Sequence, residues 1–416
     1  MTQNSRTIRN KLFVATVGIW ILLCLNSSVL VAQDSPTTAE QAKIVELIKQ
    51  LGSESFQIRE QAQSQLLATG LAAQDELSKA LKSADLEIRF RVRRIYVELL
   101  QMDFQRRLTL FVNDVDGKLK HDLPAWKMYR EKVGSSLEHR KLFAAMVRVE
   151  APFLIAIETK TNIYSTLNTR LKDLQPYGST PSNGPKVARL ESIAAILLAS
   201  MQLDNTQLNR IISPMYNLLN FQETKNGIRG GDNSGIIKGM IASYIEQNIE
   251  TANSQLPLTL VLEYGFEDVG LRIGRKLIAD SKMSSLVREY AAICLIRFGT
   301  AAEIPKLLPM LTEKSVIHSW STSQAKGKII KTQVRDAILV LLLHQTKQDA
   351  ADYGFRFVQP NPITVFRVYS AGFIEDAERE AAHSQWNKWW DENKEMVLKS
   401  SVVEEKYHSW PTQNFP

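Results

Sequence analysis

The sequence predicts an all-α fold built from stacked helix pairs, an α-solenoid, and two internal similarities carry that prediction. An offset of 229 residues relates one set of identical residues near the N-terminus to another near the C-terminus: Arg59, Glu60, Ala62, Leu66, Gly70, Ala72 and Ala73 recur as Arg288, Glu289, Ala291, Leu295, Gly299, Ala301 and Ala302. An offset of 30 relates Leu51, Ser53, Ile58 and Arg59 to Leu81, Ser83, Ile88 and Arg89. Self-similarity of this kind is typical of helical repeats.

Apolar spacing of three to four residues predicts the first four helices. They cover residues 44–51, 56–67, 77–81 and 86–100, and Gly70 is the expected end of the second. On the fourth helix one narrow stripe is apolar: Ile88, Val92, Ile95 and Leu99. The other side carries a row of arginines: Arg89, Arg91, Arg93 and Arg94.

Helical spacing returns later in the chain, with segments predicted at 137–157 (interrupted at Pro152), 187–201, 208–219, 236–249, 256–264 and 269–278. Polar, glycine- or proline-rich stretches predict loops at 175–185, 221–234 and 321–329. No stretch alternates with a period of two, so we expect almost no sheet.

The expected organisation has six segments: 1–32 a signal peptide or N-terminal anchor, 33–100 helix pairs, 101–185 an irregular helical segment with an exposed loop, 186–345 a helical-repeat region with a further copy at 284–311, 346–398 a loop and a capping helix, and 399–416 a flexible tail.

The segment from Leu51 to Gly70 resembles the HEAT repeat and its armadillo relatives, as does the segment from Leu286 to Gly299. The resemblance implies that an arginine of the second helix caps or bridges neighbouring repeats. It assigns this structural role to Arg59, Arg89, Arg288 and Arg335.

Most of the chain also resembles a loose set of secreted bacterial helical-repeat proteins of unassigned activity. The shared segments are Leu123–Arg130, Val334–Phe355 and a late helix with Trp386, Trp389 and Trp390. This resemblance implies a location and a fold, and it implies no reaction.

The N-terminus has the pattern of an export signal. Arg6, Arg9 and Lys11 precede an apolar stretch from Leu12 to Leu25, and Ala32 precedes a polar turn. This pattern predicts a secretory signal peptide cleaved after Ala32. A retained anchor through residues 12–31, or a lipoprotein on Cys24, remains an alternative. Each places the body of the protein outside the cytoplasm, in the periplasm or the extracellular space.

The composition and the spacing of chemical groups argue against several functional classes. The net charge is +7, and three of those charges lie in the leader, so no nucleic-acid partner is expected. No two histidines lie three or four residues apart, and we expect no metal and no cofactor. Nor does the sequence show a nucleophile motif, so we expect no catalytic residue and no enzyme.

We therefore expect an exported, non-enzymatic scaffold that mediates protein–protein interaction. Two sets of residues are candidates for binding: the basic row Arg89, Arg91, Arg93 and Arg94, and the late tryptophans, which are either a cap on the last repeat or a binding surface. The alternatives are a module that binds cell-envelope polysaccharide and a glycan-active enzyme with a site assembled across helices.

Overall fold

The computed structural model describes residues 37–160, 162–175, 187–249 and 255–400. These residues are mostly helical, with two short β-hairpins, so the predicted all-α fold class is confirmed. Contacts divide the chain into two compact units, Met1–Thr161 and Asn162–Pro416. The leader at 1–32, most of the loop expected at 175–185, and residues 401–416 of the expected tail lie outside the described residues.

The helices of the first unit are α1 (Thr38–Gln50), α2 (Phe56–Thr69), α3 (Gln74–Ala80), α4 (Leu86–Asn113), α5 (Trp126–Lys132) and α6 (Leu137–Thr159). Side chains mark where two of them begin. Helix α1 starts with a capping box between Thr37 and Glu40. Asp85 caps α4 by accepting the N–H groups of Glu87 and Ile88.

Helices α1 and α2 pack together, as do α3 and α4, and α2 also packs against α4. The second helix of each pair begins at residue 56 or 86, which reproduces the sequence offset of 30. Their shared core includes Ile44, Leu66, Val92, Ile95 and Leu99. Burial stabilises the unit by about 1.5–3 kcal/mol for each such side chain.

Helix α4 continues past residue 100 to Asn113, so the boundary expected there falls inside a helix. Its buried side changes along its length. Val92 and Ile95 face the helix pairs, whereas Phe111 contacts Phe143 of α6 with ring centroids 5.8 Å apart. The expected boundary at residue 100 marked the end of the apolar stripe that contains Val92 and Ile95. The buried side that contains Phe111 lies at another angle around the same helix.

Helix α6 bends at Glu150, whose φ of −126° and ψ of 27° are not helical. Pro152 lies two residues later. Its ring lacks an N–H and clashes with the carbonyl four residues before it, so the helix breaks. The predicted interruption is confirmed.

The helices of the second unit are α7 (Ile163–Asp173), α8 (Leu190–Ser200), α9 (Asn205–Asn220), α10 (Gln222–Gly230), α11 (Ser234–Ile249), α12 (Leu256–Tyr264), α13 (Glu267–Ala279), α14 (Ser285–Phe298), α15 (Ile304–Leu307), α16 (Val334–Gln345) and α17 (Asp376–Ser400). Helix α14 begins and ends 229 residues after α2. Each of the two is followed closely by a 3₁₀ turn, Gly70–Ala73 and Ala301–Glu303, and then by a short helix.

Helix α10 lies in the stretch 221–234 that was predicted as a loop, so that prediction was wrong. Its buried residues are Thr224, Lys225 and Ile228. The Lys225 ammonium lies 3.0 Å from the Glu263 carboxylate of α12. An ion pair occupies the position where a helical pattern needs an apolar side chain, so hydrophobic spacing did not show the helix.

Two short antiparallel hairpins interrupt the helical chain. The first joins β1 (Val316–Trp320) to β2 (Ile330–Gln333), and the second joins β3 (Pro360–Asn361) to β4 (Val365–Phe366). The inward residue of β1 is His318, whose Nε2 lies 2.9 Å from the buried Glu289 carboxylate. Because that residue is polar, the alternation typical of a strand is hidden in the sequence.

Helix α17 is fastened to α16 by a buried ion pair. The Arg379 Nε lies 2.9 Å and 3.1 Å from the two Asp336 carboxylate oxygens, and both side chains are buried. Next to this pair, Arg335 donates to Glu380 at 2.8 Å.

Candidate functional site

The arginine row predicted on α4 is divided by the structure, and two of its members are engaged within the first unit. Arg89 donates from Nη1 to the Ser83 carbonyl at 3.2 Å. Arg91 donates to Glu87 at 2.6 Å and to Glu60 of α2 at 2.9 Å. These hydrogen bonds raise the pKa of Arg91. Arg89 and Arg91 therefore stabilise the frame of the helix pairs.

The other two arginines of the row are exposed to solvent. Within the part of the chain that the structure describes, neither Arg93 nor Arg94 makes a side-chain hydrogen bond or ion pair. A guanidinium without a partner keeps five N–H donors and its full charge for a ligand. Farther along α4, Arg106 and Arg107 both pair with Asp103, at 2.7 Å and 3.0 Å. Among the arginines of α4, Arg93 and Arg94 are therefore the two without a partner in the described residues.

Exposed apolar side chains lie beside these two arginines. Leu86 is 71% exposed, Phe90 69% and Phe56 66%, and these are the three most exposed large apolar side chains among the described residues. Leu86 and Phe56 are the first residues of α4 and α2, and Phe90 lies one turn into α4. Exposed large apolar side chains on neighbouring helices often mark a place where another molecule binds.

Helical geometry places the α4 members of this surface on one side of the helix. At 100° per residue, Leu86, Phe90, Arg93 and Arg94 fall within an arc of about 100°. The buried residues Val92, Ile95 and Leu99 lie on the opposite side. We call Phe56, Leu86, Phe90, Arg93 and Arg94 the α2/α4 face.

Ion pairs between the first two turns of α2 and of α4 join the helices that carry this face. Arg91 of α4 reaches Glu60 of α2 at 2.9 Å, and Arg59 of α2 approaches Glu87 of α4 at 3.6 Å. Arg59 also donates to the Ser53 carbonyl at 2.6 Å, which closes the turn between α1 and α2. These contacts fix α2 and α4 relative to each other, so a partner would meet two helices whose spacing is already set.

Sequence reasoning found the arginines of this face and missed its apolar members. Phe56 was assigned to the apolar pattern of the second helix, and Leu86 and Phe90 were given no role. A signal was nevertheless present, because Leu86 and Phe90 are large apolar residues outside the stripe that contains Val92 and Ile95.

The arginines assigned a structural role do contact neighbouring segments. Arg59, besides its ion pair with Glu87, donates to the Glu54 carbonyl at 2.9 Å. Arg288, its counterpart at the offset of 229, donates to the Glu313 carboxylate through both terminal nitrogens. Arg335 joins α16 to α17 through its hydrogen bond with Glu380.

The late tryptophans lie on α17, and most of their surface is covered. Trp386 is fully buried and Trp390 is buried, and their rings stack with centroids 5.8 Å apart. Trp389 is half-buried, with its centroid 5.3 Å from that of Trp386. Two of the three rings therefore offer no free surface to a sugar.

The α2/α4 face presents exposed apolar side chains and two unpaired arginines, a combination suited to binding. Full burial of a leucine or phenylalanine side chain against a partner contributes about 1.5–3 kcal/mol to the free energy of binding. Unpaired arginines increase association rates with acidic surfaces and exclude basic ones.

In the described residues, no three of the His, Cys, Asp and Glu side chains gather as a metal site would require. No described helix is long and apolar enough to span a bilayer.

Comparisons with protein-family models, with curated proteins and with solved structures found no match for this chain.

Proposed function

We propose that this chain is a non-enzymatic scaffold that binds another protein on the α2/α4 face. The observation that carries the proposal is the position of Leu86, Phe90 and Phe56, the three most exposed large apolar side chains described, on two neighbouring helices. We further propose that the helix pairs stack as a solenoid of HEAT or armadillo type, a fold that displays side chains over extended surfaces.

The chemistry of the face indicates the kind of partner. Apolar side chains beside Arg93 and Arg94 fit a segment with its own apolar residues flanked by Asp or Glu. An amphipathic helix across α2 and α4 would meet both requirements. A basic partner would leave two arginines facing like charge, at a cost in affinity.

The proposed location of the scaffold is outside the cytoplasm. The proposal rests on the charged start, the apolar stretch from Leu12 to Leu25 and Ala32. A retained anchor through residues 12–31 is the alternative. N-terminal sequencing of the protein from the envelope and medium fractions distinguishes the two, because cleavage leaves Gln33 as the first residue.

The partner is tested by quantitative affinity enrichment from extracts of the source cells. The baits are the wild-type chain, the double variant Leu86→Ser/Phe90→Ser, the charge reversal Arg93→Glu/Arg94→Glu, and the control Met102→Ser. Met102 is 54% exposed on the same helix and lies on a different side. At least one protein should be enriched by the wild type and by the control. Its recovery should fall at least tenfold with the other two variants, because a loss of about 1.4 kcal/mol of binding free energy lowers affinity tenfold.

Circular dichroism melts of all four chains verify that each folds. The proposal fails if recovery is the same for every folded bait, or if Met102→Ser lowers it as much as the variants of the face.

A further inference from the structure

An open pocket of about 440 Å³ lies in the second unit. It is lined by the end of β1, by the start of the loop between β1 and β2, by one residue of α14, and by the segment 357–369 that contains the second hairpin. Its volume is in the range that binds small molecules and short oligomers.

Aromatic rings form much of the wall of this pocket. Trp320, Phe357 and Tyr290 are half-buried, and Tyr369 is 62% exposed. The Trp320 and Phe357 rings meet edge to face with centroids 5.7 Å apart. Rings that are fixed on one side and free on the other are suited to stacking against a ligand.

Internal contacts hold these rings in position before any ligand arrives. The Trp320 indole N–H donates to the Thr332 hydroxyl at 3.2 Å. The Tyr369 ring packs on His318 with centroids 4.6 Å apart, and the buried Glu289 carboxylate lies 2.9 Å from that imidazole. This preorganisation lowers the entropic cost of binding.

The segment 357–369 is also held in place. The backbone N–H of Arg367 donates to the backbone carbonyl of Gln359 at 2.8 Å. The backbone N–H of Gln359 donates to the Ser370 hydroxyl at 3.0 Å. Arg297 of α14 donates to the Pro362 carbonyl. Hydrogen bonds within the segment and to α14 therefore fix this wall of the pocket.

Several polar side chains of the pocket are free to bind a ligand. Within the described residues, the side-chain amides of Gln324 and Gln359 and the guanidinium of Arg367 make no hydrogen bond or ion pair. The side-chain oxygen of Asn361 accepts hydrogen bonds from two backbone N–H groups, which leaves the side-chain N–H groups of Asn361 available. The lining contains no carboxylate, so the charge of the arginine is not neutralised there.

We infer that this pocket binds an oligosaccharide that carries a carboxylate. Aromatic faces stack on the C–H face of a sugar ring, side-chain amides bind its hydroxyls, and a guanidinium binds a carboxylate through two parallel hydrogen bonds. A peptide fits less well, because the only aliphatic side chain in the lining is Val368. The usual glycoside hydrolysis needs a pair of carboxylates, and the lining has none, so we infer a binding site and not a hydrolytic one.

Two sources of carboxylated sugar share this chemistry, a uronic acid glycan and a muramic acid glycan. Isothermal titration calorimetry of the full chain with tetragalacturonate and with the disaccharide of N-acetylglucosamine and N-acetylmuramic acid distinguishes them. Chitotetraose is the neutral probe and hexaglutamate the anionic peptide probe. We expect saturable binding of at least one carboxylated sugar, at least fivefold tighter than of chitotetraose.

Three variants locate the site. Trp320→Ala should weaken the carboxylated sugar at least tenfold, and Arg367→Gln should weaken it about fivefold while leaving chitotetraose unchanged. Ile329→Ala, at a residue 61% exposed in the same hairpin loop but outside the lining, should change neither. The inference is overturned if neither sugar binds at millimolar concentration, if hexaglutamate binds as tightly as the sugars, or if the Trp320 and Arg367 variants bind like wild type.

This result is independent of the proposed protein partner. The Arg93→Glu/Arg94→Glu variant should bind the sugar like wild type, because neither arginine lines the pocket.

Discussion

At the scale of single residues, the partner of a charged group decides what that group does. Arg91 and Arg93 are two positions apart on α4, yet Arg91 is bound by Glu60 and Glu87 whereas Arg93 is free within the described chain. The sequence predicted which side of the helix carries the arginines. It did not predict the pairing, because Glu60 is 31 residues away and reaches Arg91 only when α2 packs on α4.

His344 provides a residue-scale prediction. Burial lowers its pKa from 6.5 to about 4. Between these values the unfolded chain binds a proton that the folded chain does not. The contribution of neutral His344 to the free energy of unfolding is therefore fully present above pH 6.5 and is lost as the pH falls towards 4. Over that window the loss is about 3 kcal/mol.

Urea unfolding of the wild type and of His344→Gln at pH 7.0, 5.5 and 4.5 measures this effect. The wild type should lose more stability than the variant on acidification, by about 2–3 kcal/mol between pH 7.0 and 4.5. Parallel losses in the two proteins would show that His344 does not titrate in this way.

At the scale of helices and strands, the hydrophobic pattern located most of the elements whose inward residues are apolar, although it missed α7, whose buried residues are Leu167 and Leu171. Helix α12 begins and ends where the pattern predicted. Helix α10 and strand β1 were missed because their inward residues include Lys225 and His318, which are paired with Glu263 and Glu289. A polar residue can replace an apolar one inside when its partner lies on another element, and no local pattern shows that partner.

The close packing of α13 on α14 provides the element-scale prediction. A Cβ atom at Gly274 would lie 2.9 Å from a Leu295 methyl carbon and 3.0 Å from the Ala291 carbonyl oxygen. Gly274→Ala should therefore destabilise the protein by about 1–3 kcal/mol, although alanine favours a helix. Its matched control is Gly239→Ala in α11, where a Cβ atom meets nothing within 4 Å. That change should stabilise by about 0.5–1 kcal/mol.

Thermal unfolding by calorimetry measures both variants. The predicted result is a lower melting temperature for Gly274→Ala and a higher one for Gly239→Ala. A rise for both would contradict the tight contact between α13 and α14.

At the scale of the whole molecule, the two compact units carry different surfaces. The first unit carries the α2/α4 face, and the second carries the aromatic pocket. The sequence predicted the arginines of the first surface and neither the apolar residues beside them nor the pocket. The pocket joins Trp320 to Tyr369 across 49 positions of the chain, and only tertiary structure brings such residues together.

Site-specific photo-crosslinking of the full chain tests whether another protein contacts the α2/α4 face. A benzophenone amino acid is placed at position 90 or, as the control, at position 102 of the full chain in the source cells. We expect a discrete heavier adduct from position 90 and none from position 102. The yield of the adduct should fall at least tenfold when Arg93→Glu/Arg94→Glu is added. Equal adducts from both positions, or none from position 90, would contradict the proposed contact.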